Sequence, residues 1–268
     1  MSAISSYPSQ PKLPLSVSGL RAASPVLTTI SLIFLSFFLV VITLTFVDPR
    51  LINGINVWDK PAKFLLSLGV HGVTLAFGIS LLPVSTQQAK GIRRASYVFA
   101  FSSTAEMLWI GYKAYLGQPS HFNNSDAFHA IMYSLMGVGA VSLTIVTIYL
   151  GWKIAKTGST IVTYATGTGF ILSGILTTIV AGYMSSTTGH SVGGNTSDAS
   201  GLAFFYWSTT GGDLRVPHFA ALHIAQAIPL AAWLLPDRRF VNFALLAAAA
   251  LVALLFWQAL MGIPFISV

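Results

Sequence analysis

Seven apolar runs, each close to the ~20 residues that a helix needs to cross the hydrocarbon core of a bilayer, follow one another along this chain of 268 residues. They lie at Pro25–Val47, Pro61–Pro83, Ala95–Leu116, Ala127–Trp152, Thr160–Met184, Pro217–Leu235 and Phe240–Ile263. A soluble domain carries about 25% charged residues, whereas here charged residues make up 8% of the sequence and hydrophobic ones 54%. A cleaved signal peptide ahead of a secreted domain would leave the remainder polar, yet the apolar runs continue to the end of the chain. The first run is also longer than a signal-peptide core and no small-residue cleavage site follows it. The sequence therefore predicts an all-α, polytopic membrane helix bundle of about seven transmembrane helices, with the lipid bilayer as its surroundings. Residues 25–268 form a single domain in this reading. The Ser- and Pro-rich residues 1–24, which show no apolar period, are expected to be a flexible tail.

Orientation follows from the basic residues. Lys12, Arg21, Lys90, Arg93, Arg94, Lys153, Lys156, Arg238 and Arg239 fall on one side of the predicted bundle, and Arg50, Lys60, Lys63, Lys113 and Arg215 on the other or at its helix ends. The positive-inside rule then puts the N-terminus in and the C-terminus out. The same rule accounts for the net charge of +7, so no nucleic-acid partner is expected. The longest connection, 185–216, is rich in Gly, Ser and Thr and lies outside. It is expected to fold over the bundle mouth, with Leu202–Trp207 as an interfacial aromatic patch. There are no cysteines, which excludes disulfides, iron–sulfur clusters and thiolate zinc sites. No internal repeat is visible, an argument against an inverted-repeat transporter. The last span has no Lys for a retinal Schiff base. Gly167, Gly169, Gly174 and Gly182 suit close helix packing, and Pro229 a kink.

Polar chemistry gathers on the outer side. All six histidines, His71, His121, His129, His190, His218 and His223, map there or no deeper than about the midplane. Glu106 is the sole Glu. An ionisable residue at that depth is costly enough to be read as functional with a partner, and His71 and Lys63 are the candidates. Counted at ~1.5 Å per residue, His71 and Glu106 both sit roughly 15 Å down. His223 and Gln226, spaced i and i+3, share a face, and with His129 these residues are expected to converge on one cavity. Histidine with carboxylate suits copper, iron or zinc, and two histidines on facing helices suit haem b. His71, His129, His223, His190 and His121 are the candidate ligands. No His-Glu-x-x-His motif is present, and His218 and His223 lie about 140° apart on an ideal helix. Lys60, Lys63 and Arg215, joined by His218, Asn123 and Gln226, are candidates for holding an anionic small molecule or haem propionates. Lys snorkelling to the interface is the structural alternative, and Asp213 is placed to pair with Arg215 and cap the helix that follows.

The stretches Trp58-x-Lys60-Pro61-x-Lys63-Phe64, Ser120-His121-Phe122-Asn123, Gly189-His190-x-Val192-Gly193 and Gly212-Asp213-Leu214-Arg215-x-Pro217-His218-Phe219-x-x-Leu222-His223-x-x-Gln226 together resemble an uncharacterised family of bacterial seven-helix integral membrane proteins. The resemblance implies that the outer-face residues belong together and that the chain sits in a bacterial inner membrane; it brings no activity. The leading functional expectation is a membrane-embedded oxidoreductase or metal- or haem-binding protein, its site open to the extracytoplasmic face. Glu106 and His71 would be its catalytic groups. The alternatives are a proton-coupled small-molecule transporter or channel, and a non-catalytic sensor or assembly subunit.

Overall fold

The structure, a computed structural model, describes residues 16–123, 125–157, 159–187 and 189–267. A short helix, α1 (Val17–Ala23), starts at Ser16, whose side chain accepts from the Gly19 N–H, an N-cap that satisfies one of the free donors of a helix start. This corrects the flexible-tail expectation for residues 16–24, because Leu20 and Ala23 bury themselves in the main core. The rest of that tail lies outside the described residues. α2 (Pro25–Val47) begins with Pro in its first turn, where the missing N–H is harmless.

A two-residue hairpin follows, β1 (Leu51–Ile52) and β2 (Ile55–Asn56). Its turn is Asn53-Gly54 with φ of 51° and 84°, the left-handed pair that a tight hairpin turn demands and that this dipeptide adopts most readily. Then come α3 (Asp59–Ser80), the short α4 (Val84–Gln87), α5 (Lys90–Tyr115), α6 (Ala127–Thr157) and α7 (Ile161–Ser186). Within the long connection, β3 (Ser191–Val192) pairs antiparallel with β4 (Gly212–Asp213). α8 (Arg215–Leu234) runs on through Pro229, and α9 (Arg238–Leu260) is capped by Asp237, whose carboxylate accepts from the Arg239 and Phe240 N–H groups. The helix ends fall within about five residues of the predicted spans, most of them within the usual spread of such boundaries.

Five of these helices, α2, α3, α6, α7 and α9, are long and apolar enough to cross a membrane, which makes the chain an integral membrane protein by its architecture. α5 and α8 are of comparable length but less apolar, because they carry Glu106 and Lys113, and Arg215, His218, His223 and Gln226. Consecutive long helices pack as neighbours: α2 on α3, α3 on α5, α5 on α6, α6 on α7, α7 on α8 and α8 on α9. The α6–α7 contact is backbone to backbone. A Cβ on Gly151 would come within 2.8 Å of the Gly167 carbonyl oxygen, and one on Gly167 within 2.4 Å of the Ala155 nitrogen, so neither position admits any side chain.

The two ends of the bundle differ. At the end that carries Arg93, Arg94, Lys153 and Arg238, the interior is filled by Leu75, Ile79, Phe99, Leu150, Ile154 and Phe170, all fully buried. A second apolar cluster joins α7, α8 and α9 through Val180, Ile224, Ile228, Val241 and Val252. The buried Glu106, Lys113, Ser120, Asp198 and Asp213 lie toward the opposite end.

Candidate functional site

The long connection is held down by charge. Asp213 lies in β4, and its carboxylate accepts from the Arg215 N–H at 2.9 Å and the Ser208 N–H at 2.9 Å. The Arg215 guanidinium reaches Asp213 Oδ2 at 2.7 Å and Asp198 Oδ1 at 2.8 Å, and also donates to the Tyr206 carbonyl. Asp198 receives Asn53 Nδ2 from the hairpin turn at 3.0 Å and faces His190 Nε2 at 3.3 Å. Burial pushes the Asp198 carboxyl up, but the hydrogen bond with His190, the Arg215 charge and Asn53 outweigh it and hold the group at about 2. Arg215 therefore has two carboxylates and a carbonyl of its own chain. It is not the anion anchor expected of it, and His190 is engaged by Asp198 rather than placed in a ligand set.

The aromatic patch is anchored through the same segment. Phe205 stacks on Trp207 with ring centroids 4.4 Å apart, and both meet Phe219 of α8 edge-on. The Tyr206 hydroxyl donates to Asp59 Oδ2 at 2.9 Å, and Lys63 Nζ lies 3.9 Å from the Tyr206 ring centroid, a cation–π distance. Burial and the Asp59 carboxylate raise the Tyr206 phenol to about 12. Phe204 and Tyr206 adopt φ of 68° and 59°, a left-handed backbone that costs bulky residues about 1–2 kcal/mol each and that the surrounding contacts must hold in place. Lys63 is thus committed to this patch and does not pair with Glu106.

Below the loop, Lys60 Nζ is 3.0 Å from His121 Nδ1, which also faces Ser120 Oγ at 3.1 Å. Burial first, and the Lys60 charge second, hold the His121 imidazole well below its ordinary range. A neutral ring with a free Nδ1 lone pair is what a lysine ammonium needs as acceptor. Phe64 and Tyr133 flank the ring. Glu106 is 5% exposed, and Lys60 is the cation within Coulombic range of it. Its Oε1 has no hydrogen-bond partner. That oxygen faces Gly139 of α6, where a Cβ would stand only 2.7 Å away.

The expected Glu106–His71 pair is not made. His71 Nε2 bonds Thr147 Oγ1 at 2.9 Å, and its ring stacks on Phe99. Phe99 lies seven residues from Glu106 along α5, so the two side chains are separated by roughly 10 Å of depth. The ten-residue count that placed them level misleads because it assumes that α3 and α5 end at one height, and the stagger between two helices is set by packing rather than by either sequence. His129 is elsewhere too. Its Nε2 is 2.8 Å from Lys113 Nζ and its Nδ1 2.7 Å from Asp126 Oδ2, at the outer end of α5 and α6. Lys113, 1% exposed, is a buried cation that sequence reasoning assigned to a loop side and missed as a partner. The Asp126 carboxyl is lowered by the His129 N–H and side chain. Asn123 donates to the Pro119 carbonyl and accepts from the Ser125 N–H, a local turn that satisfies the side chain. His218 is half-buried in the first turns of α8, and His223 is exposed. Among the described residues no group of three or more His, Asp or Glu is arranged to hold a metal ion. Of the five ligand candidates, His121, His129 and His190 are held in separate contacts, while His71 and His223 lie within Coulombic range of each other.

No family model, curated protein or solved structure matches the chain. The chemistry is therefore read from the geometry alone: a closed loop clasp, an ammonium–imidazole pair under it, and within Coulombic range of that pair a buried carboxyl with an oxygen that no donor reaches.

Proposed function

We propose that this protein is a proton-coupled carrier of a small solute, seen with its polar half facing the side of the long loop. In this reading all seven long helices span the membrane, N-terminus in and C-terminus out, as the basic residues at the apolar-filled end support. The observation that carries the proposal is Glu106. A buried carboxyl oxygen without a donor costs about 1–3 kcal/mol, and an ionisable group inside a membrane bundle is expensive however it is held. Such a group is explained when its partner changes during function, and the proton is the partner that an isolated carboxyl accepts most readily. Lys60, within Coulombic range of Glu106 and bonded to neutral His121, supplies a cation that an anionic solute can recruit by displacing the imidazole. The apolar packing around Leu75, Phe99, Leu150 and Phe170 closes the opposite half, as one state of an alternating-access cycle requires.

The test is solute-driven proton movement in proteoliposomes loaded with a pH-sensitive dye, challenged with a panel of small carboxylates and phosphates. The expected result is proton uptake with at least one solute class, slowed roughly tenfold by Glu106→Gln, the factor that ~1.4 kcal/mol represents. Uptake that Glu106→Gln leaves unchanged, or a panel in which no solute moves protons, overturns the reading.

A further inference from the structure

A crevice of about 50 Å³ lies over the seam of α2 and α3, where the long connection crosses it. That is several times the space that one water needs. Phe38 and Ile42 of α2 and Leu66 of α3 wall its apolar part, and Asp59 and Lys63 of α3 line it together with Phe204 and Tyr206. The crevice is not sealed: Phe204 is exposed and the other six are half-buried. Asp59 and Lys63, one helical turn apart, share a face of α3. Among the described residues neither has an ion-pair partner. The Tyr206 hydroxyl takes Asp59 Oδ2 and leaves Oδ1. Lys63 rests against the Tyr206 and Phe204 rings, contacts that engage its charge and leave N–H donors over. Unlike Glu106 Oε1, neither Asp59 Oδ1 nor Lys63 Nζ is shut inside the protein. The two loop residues that line the crevice are also the two that hold a left-handed backbone, a strain of the kind that gathers at ligand clamps.

We propose that this crevice holds one phospholipid whose head group is a zwitterion with a primary ammonium, as in phosphatidylethanolamine. The phosphate takes the free N–H donors of Lys63, the ammonium donates to Asp59, and an acyl chain lies along Phe38, Ile42 and Leu66. The paired charges dictate the head. An anionic head would set its phosphate on Lys63 but meet the Asp59 carboxylate with nothing to offer it. A choline head carries the positive charge but no N–H, so it forgoes the charge-assisted hydrogen bond. The apolar part dictates the body. Leu66 lies seven residues beyond Asp59 and so about 10 Å further along α3, at the depth of a lipid chain rather than of a head group. The site does not involve Glu106 or Lys60, and it stands whether or not protons are carried there.

The test is native mass spectrometry of the full chain in detergent, offered equal amounts of phosphatidylethanolamine, phosphatidylcholine and phosphatidylglycerol with chains that give each a distinct mass. The wild type is expected to retain one phosphatidylethanolamine, with each of the other two bound roughly tenfold less, the loss that one unmade hydrogen bond to a charged group brings. Asp59→Asn removes the repulsion of an anion, so its preference should pass to phosphatidylglycerol. Lys63→Met removes the phosphate anchor and should weaken all three lipids, leaving no preference among them. The wild-type comparison needs no variant and so survives a folding defect in either one. Equal occupancy by the three lipids, another lipid retained first, an unchanged order in Asp59→Asn, or a lipid-free dimer, which would show a second copy over the crevice, overturns the proposal.

Discussion

At Gly139 a single absent methyl decides how Glu106 is held. A Cβ there would press on the carboxyl oxygen at 2.7 Å, and the flexible end of the Glu side chain would have to turn away. Gly139→Ala is therefore expected to leave the fold intact, with helix propensity even favouring Ala by about 0.5–1 kcal/mol, while moving the carboxyl into a new environment. Difference infrared spectroscopy checks this: the carboxyl C=O band that disappears in Glu106→Gln should shift in Gly139→Ala, and an unmoved band would contradict the contact. Glu106 was legible from the sequence, because a single Glu in an apolar run is costly to bury and so draws the eye. Its true neighbourhood was not. Depth counted along separate helices carries no information on their relative stagger, so His71 was paired with Glu106 when it belongs with Thr147 and Phe99. Lys113 went unrecognised for the same reason: near a helix end the sequence cannot separate a snorkelling lysine from one folded inward onto a histidine.

Among the elements, the α6–α7 pair and the 185–216 connection make opposite demands. Gly151 and Gly167 hold two backbones in contact, so Gly151→Ala forces them apart and is expected to destabilise the protein by about 1–3 kcal/mol, the usual range for overpacking. Gly182→Ala, on the same helix α7 but with open space around its Cβ position, is the control. Thermal unfolding in detergent distinguishes them. The connection is held by ion pairs instead. Arg215→Met would leave Asp213 and Asp198 buried without their counter-ion, a loss of about 3–5 kcal/mol for breaking a buried pair, read as faster proteolysis of the loop. Acid should act on the same clasp. The Asp198 carboxyl is lowered from 3.8 to about 2 in the folded chain, so its contribution is complete above pH ~4 and is lost as pH falls through ~2. Proteolytic protection of the loop should follow that window, and Asp198→Asn should abolish the dependence. The sequence marked the aromatic patch and the Asp213–Arg215 pair, since both are local. The tie from Asn53 to Asp198 joins residues far apart in the chain, and nothing in either segment announces it.

For the molecule as a whole, the order of the helices and the separation of an apolar end from a polar end were readable from hydropathy and charge. The lack of cysteine makes orientation directly measurable. A single Cys at Asn195, on the exposed part of the long loop, is expected to react with a membrane-impermeant maleimide from outside intact cells. One at Lys156 should react only after permeabilisation, and the reverse pattern would invert the proposed topology. The metal- and haem-centred expectation came from counting histidines on one side, and the fold disperses them among Thr147, Lys113, Asp198 and Lys60. Residue type and side do not fix convergence; helix rotation does, and it is set by packing against neighbours.

The bond from Asn53 to Asp198 has a mechanical meaning. Asn53 sits at the tip of the hairpin that joins α2 to α3, and Asp198 is held by Arg215 at the start of α8, while α3 and α8 themselves are joined lower down by the Gln226–Thr74 bond. The two sides of the bundle are thus strung together across the mouth like a drawstring purse, by polar cords laid over the apolar packing below them. Any rocking that widens the mouth must stretch those cords. A handful of side chains at the rim therefore adds to the stiffness of the molecule against opening.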